Sequence, residues 1–126
     1  MGQVIRVEGY AAVFDRVDRA GDVVRRGAFA DASLVPLLVQ HRGRGVGTIE
    51  AIGEDARGLR VTAVVADAGV ARAVACGALV GLSVGYRARV VRQGARREIL
   101  RAALAEVSLV AVPMQPAARV ERVSAV

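Results

Sequence analysis

From Leu82 to Arg92 the chain alternates: Leu82, Val84, Tyr86, Ala88 and Val90 fall on one face, and Ser83, Gly85, Arg87 and Arg89 on the other. A period of two belongs to an extended strand with one face in a core, since a helix would scatter both sets around its axis. Residues 3–14 repeat the pattern, with Val4, Arg6 and Glu8 opposite Ile5, Val7 and Gly9. Further apolar, β-branched segments at 37–41, 46–52, 59–66 and 98–112 predict strands, the last one long or bent. The run Gly53-Glu54-Asp55-Ala56-Arg57-Gly58 reads as a hairpin connection, and the turn-forming residues of 15–27, 42–45 and 93–97 read as loops.

Two segments predict short helices. Residues 28–35 stop before Pro36, and the Ala-rich run 70–78 has no breaker until Gly77. Pro113 and Pro116 end regular structure ahead of a short tail over 113–126. Strands thus exceed helices by about six to two, and tight turns join many of them. This predicts a mainly β (α+β) fold, an antiparallel sheet or small barrel with a few short flanking helices. The 126 residues suit one domain, 1–126, with a core over about 3–120.

Composition narrows the class. With 54% hydrophobic and 24% charged residues the chain is too apolar for disorder, and charges interrupt every run that would approach a membrane span. Met1-Gly2-Gln3-Val4-Ile5-Arg6 lacks the basic-then-apolar order of a secretory signal, so a cytoplasmic setting is expected. Lys and Asn are absent, so all 18 basic residues are Arg and the net charge is +6. GC-rich coding accounts for that bias as readily as an anionic ligand does. One Cys and one His cannot assemble a standard structural zinc site, and no cofactor or metal is expected. Cys76, among Val74, Ala75 and Ala78, reads as a buried filler, and Asp15, Asp18 and Asp22 read as a turn network lacking EF-hand spacing.

Gly81-Leu82-Ser83-Val84-Gly85 spells G-x-S-x-G. The nucleophile elbow of α/β-hydrolases needs strand, sharp turn, helix, and its His follows the Ser. Here the strand runs on through Ser83, and the sole His precedes it by 42 residues. Any Ser–His chemistry must still use His41, which ends a short apolar strand at a Gly-rich loop. Glu106 is the most suggestive third group: it interrupts the apolar stretch 102–112 and shares a strand face with Leu104 and Ser108. A carboxylate there is costly to bury unless it is paired. Arg87, two pleats from Ser83, is a candidate oxyanion donor or a solvated side chain.

An ordered series of segments carries a resemblance: Gly9-Tyr10-Ala11-Ala12-Val13-Phe14, Gly21-Asp22-Val23-Val24, Gly27-Ala28-Phe29, Gln40-His41, the run Gly77 to Tyr86, Leu104-Ala105-Glu106-Val107-Ser108-Leu109-Val110 and Pro113-Met114-Gln115-Pro116-Ala117-Ala118. Over about residues 9–120 the chain resembles the prohead (capsid maturation) serine proteases of tailed bacteriophages, related in fold to the herpesvirus assemblins. The resemblance implies a compact β-barrel with flanking helices, Ser83 as nucleophile, His41 as general base and Glu106 as the orienting acid. The third position is His in the herpesvirus branch, which a chain with one His cannot match.

The same resemblance implies an endopeptidase acting inside the assembling prohead, in a host or bacterial cytoplasm. Its substrates would be scaffold and the scaffolding segment of the major capsid protein, with cleavage of its own terminus and a homodimer or higher homo-oligomer as further expectations. A gene transfer agent or prophage setting suits the composition. Two other readings stand beside it: a catalytically silent relative serving as internal scaffold, and a basic nucleic-acid-binding barrel. Four aromatic residues are few for base stacking.

Overall fold

A computed structural model describes residues 4–126. In chain order its elements are β1 (Ile5–Val13), β2 (Asp22–Val24), β3 (Leu37–Val39), β4 (Arg42–Glu54), β5 (Gly58–Val65), α1 (Ala68–Ala75), β6 (Gly81–Gln93), β7 (Arg97–Val110) and β8 (Val120–Ala125). The expected strand over 3–14 is β1; residue 3 lies outside the described residues. The strands form one sheet in the order β2-β7-β3-β4-β5-β1-β8, with β6 pairing β7. The sheet is not closed by a continuous ladder. The seam between β6 and β8 is crossed by an isolated Gly81–Arg119 bridge and by the Leu82 N–H donating to the Ala118 carbonyl (3.0 Å).

Most pairings are antiparallel, but β2 and β3 each run parallel to β7, at opposite ends of its 14 residues. Side chains on the inner face of the sheet make the core. Val7, Leu37, Leu59, Leu82, Val107 and Leu109 are completely buried, the last two on either side of Ser108. Helix α1 starts at Asp67, whose carboxylate accepts from the Val70 N–H (3.0 Å), and buries Ala71 and Val74. Gly77 at φ +85° follows its end, as the 70–78 reading anticipated.

Several expectations change. There is one helix among the described residues, not a few: 28–35 is a run of turns followed by extended chain. In a helix the Ala28 carbonyl would accept from Ala32; here it accepts from the Ala102 N–H of β7, and Ala32 donates to Phe29. Glu54 reinforces this by accepting from the N–H groups of Gly27 and Phe29 (both 2.9 Å). The predicted loop 42–45 is the start of β4, because the β3–β4 turn uses only Gln40 and His41. Its glycines serve a bulge instead: between Val39–Arg42 and Leu37–Gly47, β3 advances by two residues and β4 by five.

The tail over 113–126 contains β8, an edge strand paired antiparallel with β1. Cys76 is exposed and caps α1, not buried within it. The acidic turn matches its reading, since Asp18 Oδ1 accepts from the N–H groups of Ala20 and Asp22 (2.9 Å each). No helix among the described residues is long and apolar enough to cross a membrane.

Candidate active site

Three adjacent strands bring the predicted residues together. In the β6–β7 ladder Ser83 lies opposite Ser108, and Gly85 opposite Glu106. Cross-strand partners share a face, and so do residues two apart on one strand, so Ser83, Ser108 and Glu106 project to the same side. Strand β3 lies on the other side of β7, pairing Leu38 with Ser108, and delivers His41 from its end. Ser83 and Ser108 are buried, Glu106 is mostly covered, and the His41 side chain is 42% exposed.

His41 is held by an unusual turn. Gln40 and His41 have φ of +53° and +60°, so both residues of this two-residue hairpin loop are left-handed. That is the geometry of a type I′ turn, which usually takes Asn-Gly or Gly-Gly; L side chains there cost ~1–2 kcal/mol each. Hydrogen bonds to β7 and the residue beyond it hold the turn in place. The Gln40 N–H donates to the Leu109 carbonyl (3.0 Å), the Ala111 N–H donates to Gln40 Oε1 (2.9 Å), and the His41 N–H donates to Ser108 Oγ (3.0 Å).

The ring of His41 is set by Glu106. His41 Nδ1 lies 2.5 Å from Glu106 Oε1, and the Ser108 hydroxyl donates to Oε2 of the same carboxylate (2.7 Å). An Nδ1–H donated to the carboxylate leaves Nε2 of the neutral ring free to accept a proton. Among the described residues the ring is not hydrogen-bonded to Ser83, but both side chains line the same two cavities. Catalytic hydrogen bonds often tighten only around substrate.

The two glycines of G-x-S-x-G have local reasons unrelated to an elbow. A Cβ on Gly85 would stand 2.3 Å from Glu106 Oε1, so glycine makes room for the carboxylate that holds His41. A Cβ on Gly81 would fall 2.8 Å from the Pro113 ring. Arg87 is exposed and does not line the Ser83 cavities. The sequence does not single out Ser108 or Gln40, whose hydrogen bonds hold the His41 turn. Ser108 was within reach, two residues from Glu106 in an apolar run, whereas the left-handed turn at Gln40 leaves no compositional trace.

The comparisons bear on this geometry. The family described as caudovirus prohead serine protease matches residues 2–126. The fold is similar to solved structures of Kaposi's sarcoma herpesvirus protease. One, in complex with a hexapeptide phosphonate inhibitor, has a TM-score of 0.63 at 15% identity, covering 90% of this chain and 62% of that one. Another, with an allosteric inhibitor, has a TM-score of 0.53 at 16% identity, covering 85% and 70%. This chain therefore spans about three fifths of the length of the first of them. No curated protein sequence gives a significant match. With a family match running from residue 2 to the last residue, the chain belongs to the caudovirus prohead serine proteases.

Proposed function

We propose that this chain is a capsid maturation protease in which Ser83 attacks the scissile carbonyl, His41 is the general base and Glu106 orients the imidazole. The observation that carries the proposal is the row across β6, β7 and the β3–β4 turn, in which one carboxylate binds His41 Nδ1 and the Ser108 hydroxyl beside Ser83. A neutral serine hydroxyl is a weak nucleophile. His41 Nε2 takes its proton as the Oγ–carbon bond forms, then returns that proton to the leaving amine as the peptide bond breaks. Glu106 keeps the ring in the tautomer that leaves Nε2 free, and its charge stabilises the imidazolium formed in between. Water then releases the acyl group from Ser83 by the same base catalysis.

The substrates in this reading are the scaffold and the N-terminal scaffolding segment of the major capsid protein, cut inside the assembling prohead in the host. Co-expression of that capsid protein with the wild-type chain and with Ser83→Ala tests it. Shortened capsid protein with the wild type only is the expected result. Full-length capsid protein in both would indicate a silent scaffold-type relative instead.

A further inference from the structure

Two cavities open on Ser83 and His41, and they differ in charge. The wider one, about 580 Å³, is flanked by Arg19 and Arg42. The smaller, about 130 Å³, has Ala11, Ala12 and Val24 on its walls and Asp18, Asp22 and Tyr86 around it. Each of these Asp residues keeps one oxygen out of the fold's own hydrogen bonds. Asp18 commits Oδ1 to the Ala20 and Asp22 N–H groups, and Asp22 commits Oδ2 to Arg97 (3.1 Å); the other two oxygens accept no hydrogen bond among the described residues. Asp22 is neutralised by Arg97, whereas Asp18 has no cationic partner among the described residues. The cavity therefore carries an uncompensated negative charge beside the nucleophile.

We infer that the smaller cavity is a subsite for a lysine or arginine side chain adjoining the scissile bond, its stem along Ala11, Ala12 and Val24 and its charge at Asp18 and Asp22. The inference rests on the protease reading above. Apolar walls leading to carboxylates suit a side chain with a methylene stem and a cationic head, which an aliphatic or acidic residue cannot match at both ends. Tyr86, edge-on against Phe29 at 5.7 Å, forms a rigid wall, and burial with the nearby Asp22 and Asp18 raises its hydroxyl pKa, consistent with a negative potential. Arg19 is fixed in the other cavity by donating from Nε to the Pro113 carbonyl (3.1 Å). Its charge and that of Arg42 disfavour a cation there, so the two cavities together set the register of the substrate.

The test is digestion of a peptide library with the wild-type chain, cleavage junctions being read by mass spectrometry, followed by kcat/KM for matched peptides carrying Lys, norleucine or Glu at the preferred position. Lys or Arg should adjoin most cleaved bonds, and Lys should exceed norleucine by at least about tenfold, the factor that a single pKa unit of differential interaction represents. Asp18→Asn keeps the Oδ1 acceptor of the turn and should bring the Lys-to-norleucine ratio toward one. Cleavage with no preference in the wild type, or a ratio unmoved by Asp18→Asn, overturns the subsite and leaves the protease reading standing. No cleavage of any substrate, capsid protein included, overturns both.

Discussion

The two ends of the β6–β7 hairpin solve the same problem in opposite ways. At the Ser83–Ser108 end polar groups are buried, and one carboxylate is divided between an imidazole and a hydroxyl. At the far end Arg92 lies opposite Glu98, whose mostly covered carboxylate is gripped by the solvent-exposed guanidinium groups of Arg92 (2.8 Å) and Arg25 (2.7 Å). Buried polar groups lose water and depend on each partner being present, whereas surface ion pairs exchange freely with solvent. The same ladder should therefore be intolerant of change at one end and tolerant at the other.

The largest effect is expected from the nucleophile and base. Ser83→Ala or His41→Ala should each lower kcat/KM by about 10⁴-fold or more, without additivity in the double variant, as measured on capsid protein or a cleavable peptide. Gly85→Ala comes next, because its methyl would displace the Glu106 carboxylate. A misplacement of about 1 Å costs on the order of 10²-fold in rate, which steady-state kinetics on a folded variant would read.

Ser108→Ala should be milder on rate but visible in stability. It removes the acceptor of the part-buried His41 N–H and the donor to Glu106 Oε2, a loss of about 1–3 kcal/mol in urea unfolding. A variant as stable as wild type would mean that the turn does not depend on Ser108.

The smallest effect belongs to the far end. Side-chain hydrogen bonds from Arg92 and Arg25 hold the Glu98 carboxyl down from 4.5 to about 2. A depressed carboxyl pKa stabilises the fold above 4.5, and that contribution is lost as the pH falls toward 2. Glu98→Gln should therefore lower Tm slightly at neutral pH, with the gap to wild type closing between pH 5 and pH 2. A gap that stays constant with pH would remove the charge from the explanation.

How much of this was legible depended on whether a signal was local. The alternation at 82–92 gave β6 and the face of Ser83, and Glu106 stood out because an apolar stretch rarely carries a carboxylate. Residues 28–35 misread as a helix because the partners that unmake it, the Glu54 carboxylate accepting from Gly27 and Phe29 and the Ala102 N–H donating to the Ala28 carbonyl, come from distant strands. Strand β8 was invisible for another reason. It is an exposed edge held by backbone pairing to β1, so Val120-Glu121-Arg122-Val123 shows no buried face. The meeting of His41 with Glu106 depends on the parallel pairing of β3 with β7, and no spacing in a sequence encodes it.

In the proposed mechanism Ser83 is a nucleophile activated by His41. Incubation with a fluorophosphonate followed by peptide mass mapping tests it without knowledge of the substrate. A single adduct is expected, on the peptide containing Ser83, strongly slowed in His41→Ala. An adduct that persists in Ser83→Ala, or labelling at Ser83 that is indifferent to His41, would contradict it.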